Sequence, residues 1–116
     1  MAKQGLKKRA VRGSRTGRPI MALLDLLGRR WTLRILWELR DGALTSRALR
    51  EASDDASPTV LQARLADLRQ AGFVELVPDG YRLTERGREL LGTLLPLHRF
   101  AERWSLQRRP GERRDP

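Results

Sequence analysis

The feature that most constrains the fold is a helix with marked ends, followed at once by a short hairpin. Ser57 and Pro58 open the helix, because serine is a preferred N-cap and proline at the first helical position loses no hydrogen bond. Gly72 ends it, as a glycine just past the last helical residue commonly does. Residues 73–83 hold two β-branched or aromatic stretches around a Pro-Asp-Gly turn. They predict a β-hairpin with a very short tip.

Three shorter helices are predicted ahead of this pair. Each has apolar residues at helical spacing and ends at a glycine, an Asp-Gly pair or a polar turn. Their predicted bounds are 19–27, 32–40 and 46–52, opened by Pro19, Thr32 and Ser46. The Leu44-Thr45 pair between the second and third helices is too short for more than a single strand-like contact.

A last helix follows the hairpin and is capped by Thr84. Pro96 lies inside its apolar pattern and is expected to kink or break it, with a continuation to about Trp104. The whole order is four helices, a hairpin and a helix. Two helices joined by a tight turn and followed by a hairpin predict a mainly α fold with a small β-hairpin wing, the winged helix-turn-helix. Such folds bind DNA, and some serve only as protein-contact modules.

The net charge is +10 at pH 7 and is concentrated at the ends of the chain. Residues 1–18 contain seven basic and no acidic side chains, whereas residues 19–104 are nearly neutral. We expect a disordered basic arm at 1–18, a winged helix-turn-helix domain at 19–104 and a disordered basic tail at 105–116. Basic ends on a neutral body suit duplex DNA, since each neutralised phosphate releases counterions. A solubilising tail or an anionic membrane surface would also explain them.

Several function classes are excluded or disfavoured by what the sequence lacks. With no cysteine it forms no disulfide or thiolate metal site, and one histidine, His98, cannot by itself close a metal site. No Gly-rich phosphate loop or other catalytic pattern occurs, so we expect no enzyme activity, metal or cofactor. No apolar run could span a membrane, and no apolar segment follows the basic N-terminus. A cytoplasmic protein is expected.

Three stretches resemble the HxlR-type winged-helix regulators. Gly28-Arg29-Arg30-Trp31-Thr32 with Ile35-Leu36 resembles the family's GGKWT…IL opening. Ser57-Pro58, Leu61, Arg64-Leu65, Leu68 and Ala71-Gly72-Phe73-Val74 resemble its recognition-helix pattern, and Leu83-Thr84-Glu85-Arg86-Gly87 resembles its LTE.G pattern. The resemblance covers about residues 19–104. It implies a DNA-binding homodimer that represses or activates nearby genes.

The sequence departs from the family pattern in three places. Many members carry a cysteine just before the first helix, sometimes as a redox sensor, where this sequence has Arg18-Pro19-Ile20. Thiol sensing is therefore excluded. The hairpin tip is shorter than is usual in the family, and Ser46 stands where members often have phenylalanine.

The predicted DNA-reading surface is the face of helix 57–71 opposite Leu61, Leu65 and Leu68. Its N-terminal part should enter the major groove, where Gln62 can pair with adenine. Arg64 lies on the flank and either reaches a phosphate or pairs with Asp67. A bland solvated face is the alternative. The complete set of predicted DNA contacts is Arg29, Arg30, Thr32, Ser57, Thr59, Gln62, Ala63, Arg64, Ala66, Arg69 and Arg82.

The first and last helices offer more apolar surface than so small a body can bury. We expect them to form a homodimer interface, as the resemblance also implies, or else to fold back onto their own core. The predicted interface residues are Ile20, Leu23, Leu24, Leu97, Phe100 and Trp104. A small-molecule effector between these helices is neither favoured nor excluded. Two alternatives stay open: a protein-interaction module with only non-specific nucleic-acid binding through its tails, and a non-specific DNA-coating protein.

Overall fold

The computed structural model describes residues 17–54 and 56–107. In these ranges five helices and one antiparallel hairpin follow each other in the predicted order. They are α1 Pro19–Leu27, α2 Thr32–Glu38, α3 Ser46–Ala52, α4 Pro58–Gln70, β1 Val74–Val77, β2 Gly80–Leu83 and α5 Glu85–Gln107. The winged helix-turn-helix prediction is confirmed: α3 and α4 form the helix-turn-helix and the hairpin is the wing. Predictions for the rest of the arm and tail fall outside the described residues.

The ends of α4 are marked as the sequence predicts. The Ser57 hydroxyl accepts a hydrogen bond from the Val60 amide, and Pro58 is the first helical residue. Gly72 follows the C-cap with a φ of +88°, in the left-handed region that glycine enters without a side-chain clash. The direction and length of α4 are thus fixed by local chemistry before any packing is considered.

The caps of α2 and α3 each lie one residue earlier than predicted. Thr45, not Ser46, caps α3, because its extended backbone lets its hydroxyl accept the Ala48 amide at 3.1 Å. Trp31, not Thr32, is the N-cap of α2, with a φ of +77° that bulky side chains rarely adopt. Thr32 is therefore the first helical residue, and its side chain is fully buried.

The core lies between α2, α3 and one face of α4. Three α4 side chains, Leu61, Leu65 and Leu68, are buried there as the projection predicts. Each fully buried leucine contributes about 1.5–3 kcal/mol relative to an exposed one. The other side chains of this cluster are Leu27, Ile35, Leu36, Leu39, Leu49, Val74, Leu83 and Leu90. The packing holds α4 by one face and leaves the opposite face outward.

The wing is tied to the connection between α2 and α3. Leu44 and Tyr81 exchange two backbone hydrogen bonds of 2.9 and 2.8 Å in a single bridge, which is no longer than the upper limit set by the sequence. Gly80, with a φ of +123°, allows this approach, because a Cβ there would overlap the Leu44 carbonyl. The hairpin tip is therefore braced against the body.

The last helix is longer than predicted. Thr84 caps it, accepting the Gly87 amide at 3.0 Å and donating to the Gly72 carbonyl at 2.6 Å. The helix continues through Pro96 to Gln107, so of the two predicted effects of this proline, a kink or a break, the break does not occur. Residues 105–107, assigned to the tail from the sequence, are helical. None of the described helices is long and apolar enough to cross a membrane.

Candidate nucleic-acid interface

The outward face of α4 brings together four predicted DNA contacts. Thr59, Gln62 and Ala66 are exposed and Ala63 is half-buried, opposite the leucines that enter the core. Ser57 is exposed at the helix N-terminus, where backbone amides and the helix dipole favour an anion such as phosphate. The two alanines leave room for a close approach, and the Gln62 amide offers both a donor and an acceptor.

The wing contacts this face at Gln62. The Tyr81 hydroxyl of β2 lies 3.5 Å from the Gln62 Oε1 atom. Sequence reasoning missed Tyr81, because the two residues are far apart in the chain and no local pattern joins them. Tyr81 is held in place by its backbone bridge to Leu44. It therefore gives the Gln62 side chain a fixed neighbour.

The opposite flank of α4 carries an ion-pair network that we call the Asp67 bridge, formed by Asp25, Arg29, Arg64 and Asp67. One oxygen of Asp67, Oδ2, accepts Arg29 Nη1 and Arg64 Nε, each at 3.0 Å. Arg29 Nη2 also contacts Asp25 Oδ2 at 3.1 Å. The hydrogen bond to Asp67 is the largest cause that raises the pKa of Arg29, against a lowering by burial.

Arg29 and Arg64 were predicted to face DNA, and the Asp67 bridge holds both. Of the two alternatives for Arg64, the structure adopts the pair with Asp67. The Arg29 side chain points toward α4. It is not free to contact a phosphate in this conformation, because its planar guanidinium pairs with two carboxylates. In this conformation Arg29 links α4 to the end of α1, and Arg64 holds the Asp67 carboxylate from within α4.

Three other predicted arginines are distributed around the body. Arg69 is exposed on α4, and Arg30 is exposed with its guanidinium 5.4 Å from the Trp31 ring centroid. Arg82 pairs across the hairpin with Glu75 at 2.7 Å, while its side chain stays about half exposed. Phosphate contact by these three side chains remains a prediction.

The structure corrects the predicted DNA contact at Thr32 and adds Arg47 as a candidate phosphate contact. Thr32 has no exposed surface, because its position at the start of α2 points it into the core, so it cannot contact DNA in this conformation. The helix joined to α4 by the tight turn is α3, and it is this helix that crosses the DNA backbone in helix-turn-helix docking. Arg47 on α3 has an 84% exposed side chain, 3.6 Å from Glu51. The sequence analysis selected Arg29, Arg30 and Thr32 beside the start of α2 and did not select Arg47 on α3.

The predicted dimer residues are mostly at the surface. Five of the six are more than half exposed: Ile20, Leu24, Leu97, Phe100 and Trp104. Leu23 differs, because it is partly buried against the core cluster. Met21 and Leu106 are further exposed apolar side chains that the sequence analysis did not select. The outer half of α5, residues 97–107, does not fold back onto the core, so Leu97, Phe100 and Trp104 stay outside the core cluster of the described residues.

The His98 side chain packs against neighbouring side chains. Its ring stacks on Trp37 with centroids 5.1 Å apart, and its Nε2 lies 3.3 Å from Glu102. Arg40 covers the Trp37 ring at 4.1 Å. Among the described residues no group of histidine, cysteine, aspartate and glutamate side chains could hold a metal ion.

Comparison with known sequences identifies related regulators. The sequence profile described as HxlR-like helix-turn-helix matches residues 26–109. An HTH-type transcriptional regulator of Synechocystis is 31% identical over 93 residues, which cover 74% of this chain and 69% of the relative. The HTH-type transcriptional regulator YvaP of Bacillus subtilis is 28% identical over 88 residues, 70% of this chain and 82% of that protein.

Comparison of the folds gives a consistent result. The quinone-bound YodB of B. subtilis superposes with a TM-score of 0.68 at 30% identity, covering 72% of this chain and 96% of YodB. A possible HxlR family transcriptional factor from Thermoplasma volcanium gives a TM-score of 0.67 at 29% identity, covering 73% and 83%. The residues that the profile matches include α2 to α5.

Proposed function

The chain belongs to the HxlR-like helix-turn-helix family of DNA-binding transcriptional regulators, and from that premise we propose that it binds a specific duplex site as a homodimer. In the proposed complex the N-terminal part of α4 enters the major groove. The relatives named above are regulators, in keeping with the expectation that no catalysis is involved. The protein would act in the cytoplasm, where bacterial DNA is found.

The observation that carries the proposal is the outward face of α4. Thr59 and Gln62 are exposed beside small alanines, so a base edge can come close to the amide and hydroxyl groups. Gln62 can pair with the N6 and N7 atoms of adenine, and the alanines can contact thymine methyl groups. Ser57 and the exposed Arg47 would fix the helix on the phosphates, which carry no sequence information.

The dimer is supported by the apolar side chains on α1 and on the outer half of α5. A symmetric interface uses the same patch on both copies, so these two helices would cover each other's exposed leucine and aromatic side chains. Two copies of α4 would then lie in successive major grooves, about 34 Å apart, on an inverted repeat.

Fluorescence anisotropy tests this function. Binding to the DNA upstream of the protein's own coding region is compared with binding to a shuffled duplex across a salt series. A sequence-specific regulator should prefer its site by about a thousandfold or more at physiological salt. Equal affinities that disappear together as salt rises would contradict the proposal.

A double substitution, Thr59→Ala with Gln62→Ala, tests α4 itself. We expect a loss of about 1–3 kcal/mol of discrimination at particular base pairs, because the base contacts are removed. The matched control removes the same residue types from α5, with Thr93→Ala and Gln107→Ala, and should leave the base preference intact. A uniform change at every position would argue against base reading by α4.

A further inference from the structure

We propose that Arg29 and Asp67 are positioning residues that fix the orientation of α4 relative to the dimer helix α1. This inference rests on the proposed function, since it assigns the Asp67 bridge a part in holding two copies of α4 at the spacing of an operator. Neither side chain is required to touch DNA.

The geometry of the Asp67 bridge connects the two helices directly. Arg29 lies just beyond the end of α1 and uses one guanidinium nitrogen for Asp25 of α1 and the other for Asp67 of α4. Both distances are close to 3 Å, so one planar fork spans the two helices. Arg64 donates to the same Asp67 oxygen from within α4 and holds that carboxylate in place.

The centre of the bridge is more shielded than the most exposed ion pairs of the described residues. The side chains of Arg29, Arg64 and Asp67 are 29%, 23% and 23% exposed, whereas those of Arg47 and Glu51 are 84% and 62% exposed. A partly buried pair is screened less by water and salt. The Asp67 bridge can therefore hold a defined geometry, while an exposed pair is rearranged by solvent.

The location of Asp67 on α4 makes the bridge relevant to DNA reading. At 100° per residue, Asp67 lies about 140° around the helix from Gln62. Gln62 is contacted by Tyr81 of the wing, and Asp67 is held by Arg29. The helix is thus held on both flanks of its outward face, which restrains rotation about its own axis.

The other end of this connection is the proposed dimer helix. Ile20 and Leu24 of α1 are exposed, while Asp25 of the same helix contacts Arg29. A partner copy packed on α1 would set the position of α1, and the Asp67 bridge would transmit that position to α4. Without the bridge, we expect two copies of α4 to sample a wider range of separations.

Two substitutions break the bridge with little change of shape. Arg29→Lys keeps the charge but cannot span two carboxylates with a planar fork, and Asp67→Asn removes the shared negative charge. Arg86 and Glu89 of α5 form an exposed pair at 3.4 Å. Arg86→Lys and Glu89→Gln therefore reproduce the same chemical changes away from α4.

The separation of the two α4 helices can be measured without knowing the operator. The chain has no cysteine, so Gln70→Cys provides a single spin-label site at the end of α4. Pulsed electron double resonance on the full-length dimer should give one narrow distance distribution. Arg29→Lys and Asp67→Asn should broaden it, whereas Arg86→Lys and Glu89→Gln should leave it unchanged.

DNA binding gives the functional readout. At a temperature where near-ultraviolet circular dichroism shows every variant folded, Arg29→Lys and Asp67→Asn should each lower the preference for the upstream duplex over a shuffled one by about tenfold. The two control variants should stay within about twofold of the parent. Unchanged distance widths and unchanged preference in the bridge variants would overturn the positioning role. A parent chain with no inter-copy distance and no preference would instead overturn the proposed function, and this inference with it.

Discussion

The Tyr81 hydroxyl of the wing and the Gln62 amide of α4 face each other at 3.5 Å. A hydroxyl that donates to Oε1 directs that oxygen toward β2 and leaves Nε2 on the other side of the amide. The carbonyl oxygen has a second lone pair, so Gln62 can still accept from a base while Tyr81 is bound. In the proposed complex the wing would thereby act on recognition through the side chain of Gln62, even though its short tip would not reach far along the DNA.

Tyr81→Phe should weaken discrimination only at the base pair that Gln62 reads. Loss of one hydrogen bond that orients the amide is expected to cost about 0.5–1.5 kcal/mol at that position. Anisotropy on a set of singly substituted duplexes measures this. In a Gln62→Ala background the same change should have no further effect, and an additive loss would show that Tyr81 acts independently of Gln62.

Gly80→Ala should detach the wing from the body. Its φ of +123° is unfavourable for alanine, and a Cβ would overlap the Leu44 carbonyl. We expect a loss of at least about 2 kcal/mol in the free energy of unfolding, measured by urea denaturation.

Gly92→Ala is the matched control for that substitution. Gly92 lies in α5, where a Cβ would meet no atom within 4 Å. Alanine should therefore stabilise the helix by about 0.5–1 kcal/mol. Equal effects at both glycines would mean that the Leu44 contact does not constrain the wing.

Leu97→Asp should disrupt the proposed dimer. Its side chain is 58% exposed on the outer half of α5, and in a symmetric interface the change occurs twice. Sedimentation equilibrium should show the dimer dissociation constant raised by at least about tenfold, roughly the value of one buried leucine. Leu76→Asp, at a 51% exposed leucine on the wing, should leave the oligomeric state unchanged. A parent and a Leu97→Asp chain of the same mass would contradict the interface.

Removal of residues 1–16 should reduce affinity for every duplex alike. The segment holds six basic side chains, so the slope of log affinity against log salt should decrease by up to about 5 if all of them contact phosphates. Preference for the upstream site should persist, because α4 is retained. A chain of full length with those six residues changed to glutamine separates charge from length. Collapse of the preference would show that the arm reads sequence.

The elements predicted well are those with local causes. Ser57, Pro58 and Gly72 mark α4 through backbone chemistry that depends on neighbouring residues only, and the leucine spacing of α4 identifies its buried face. Where two adjacent residues could each cap a helix, as with Thr45 and Ser46, the sequence does not decide between them. The backbone angle of the cap depends on how the helix docks.

The contacts that organise the candidate site lie beyond such reasoning. Arg29 reaches Asp67, and Tyr81 reaches Gln62, across long stretches of sequence, so only the packing of α1, α4 and the wing brings them together. Thr32 was misplaced for the same reason, since the left-handed Trp31 turns it inward. The first and last helices carry more apolar residues than the core can hold, so the exposure of the predicted dimer residues was expected. The sequence pattern does not show that Leu23 is partly buried while its neighbour Leu24 is exposed.

Pro96 divides α5 into two parts that differ in how tightly packing against the core constrains their side chains. It offers no amide hydrogen to the carbonyl of Gly92, one turn earlier, so the helix is joined there by one hydrogen bond fewer. The part before it is constrained by the leucines of the core. The part after it contacts the body through the stack of His98 on Trp37, while Leu97, Phe100 and Trp104 remain more than half exposed. In the proposed dimer, substitutions of these exposed apolar side chains would change which copies pair at little cost to folding, so related regulators in one cell would diverge into separate, non-mixing dimers.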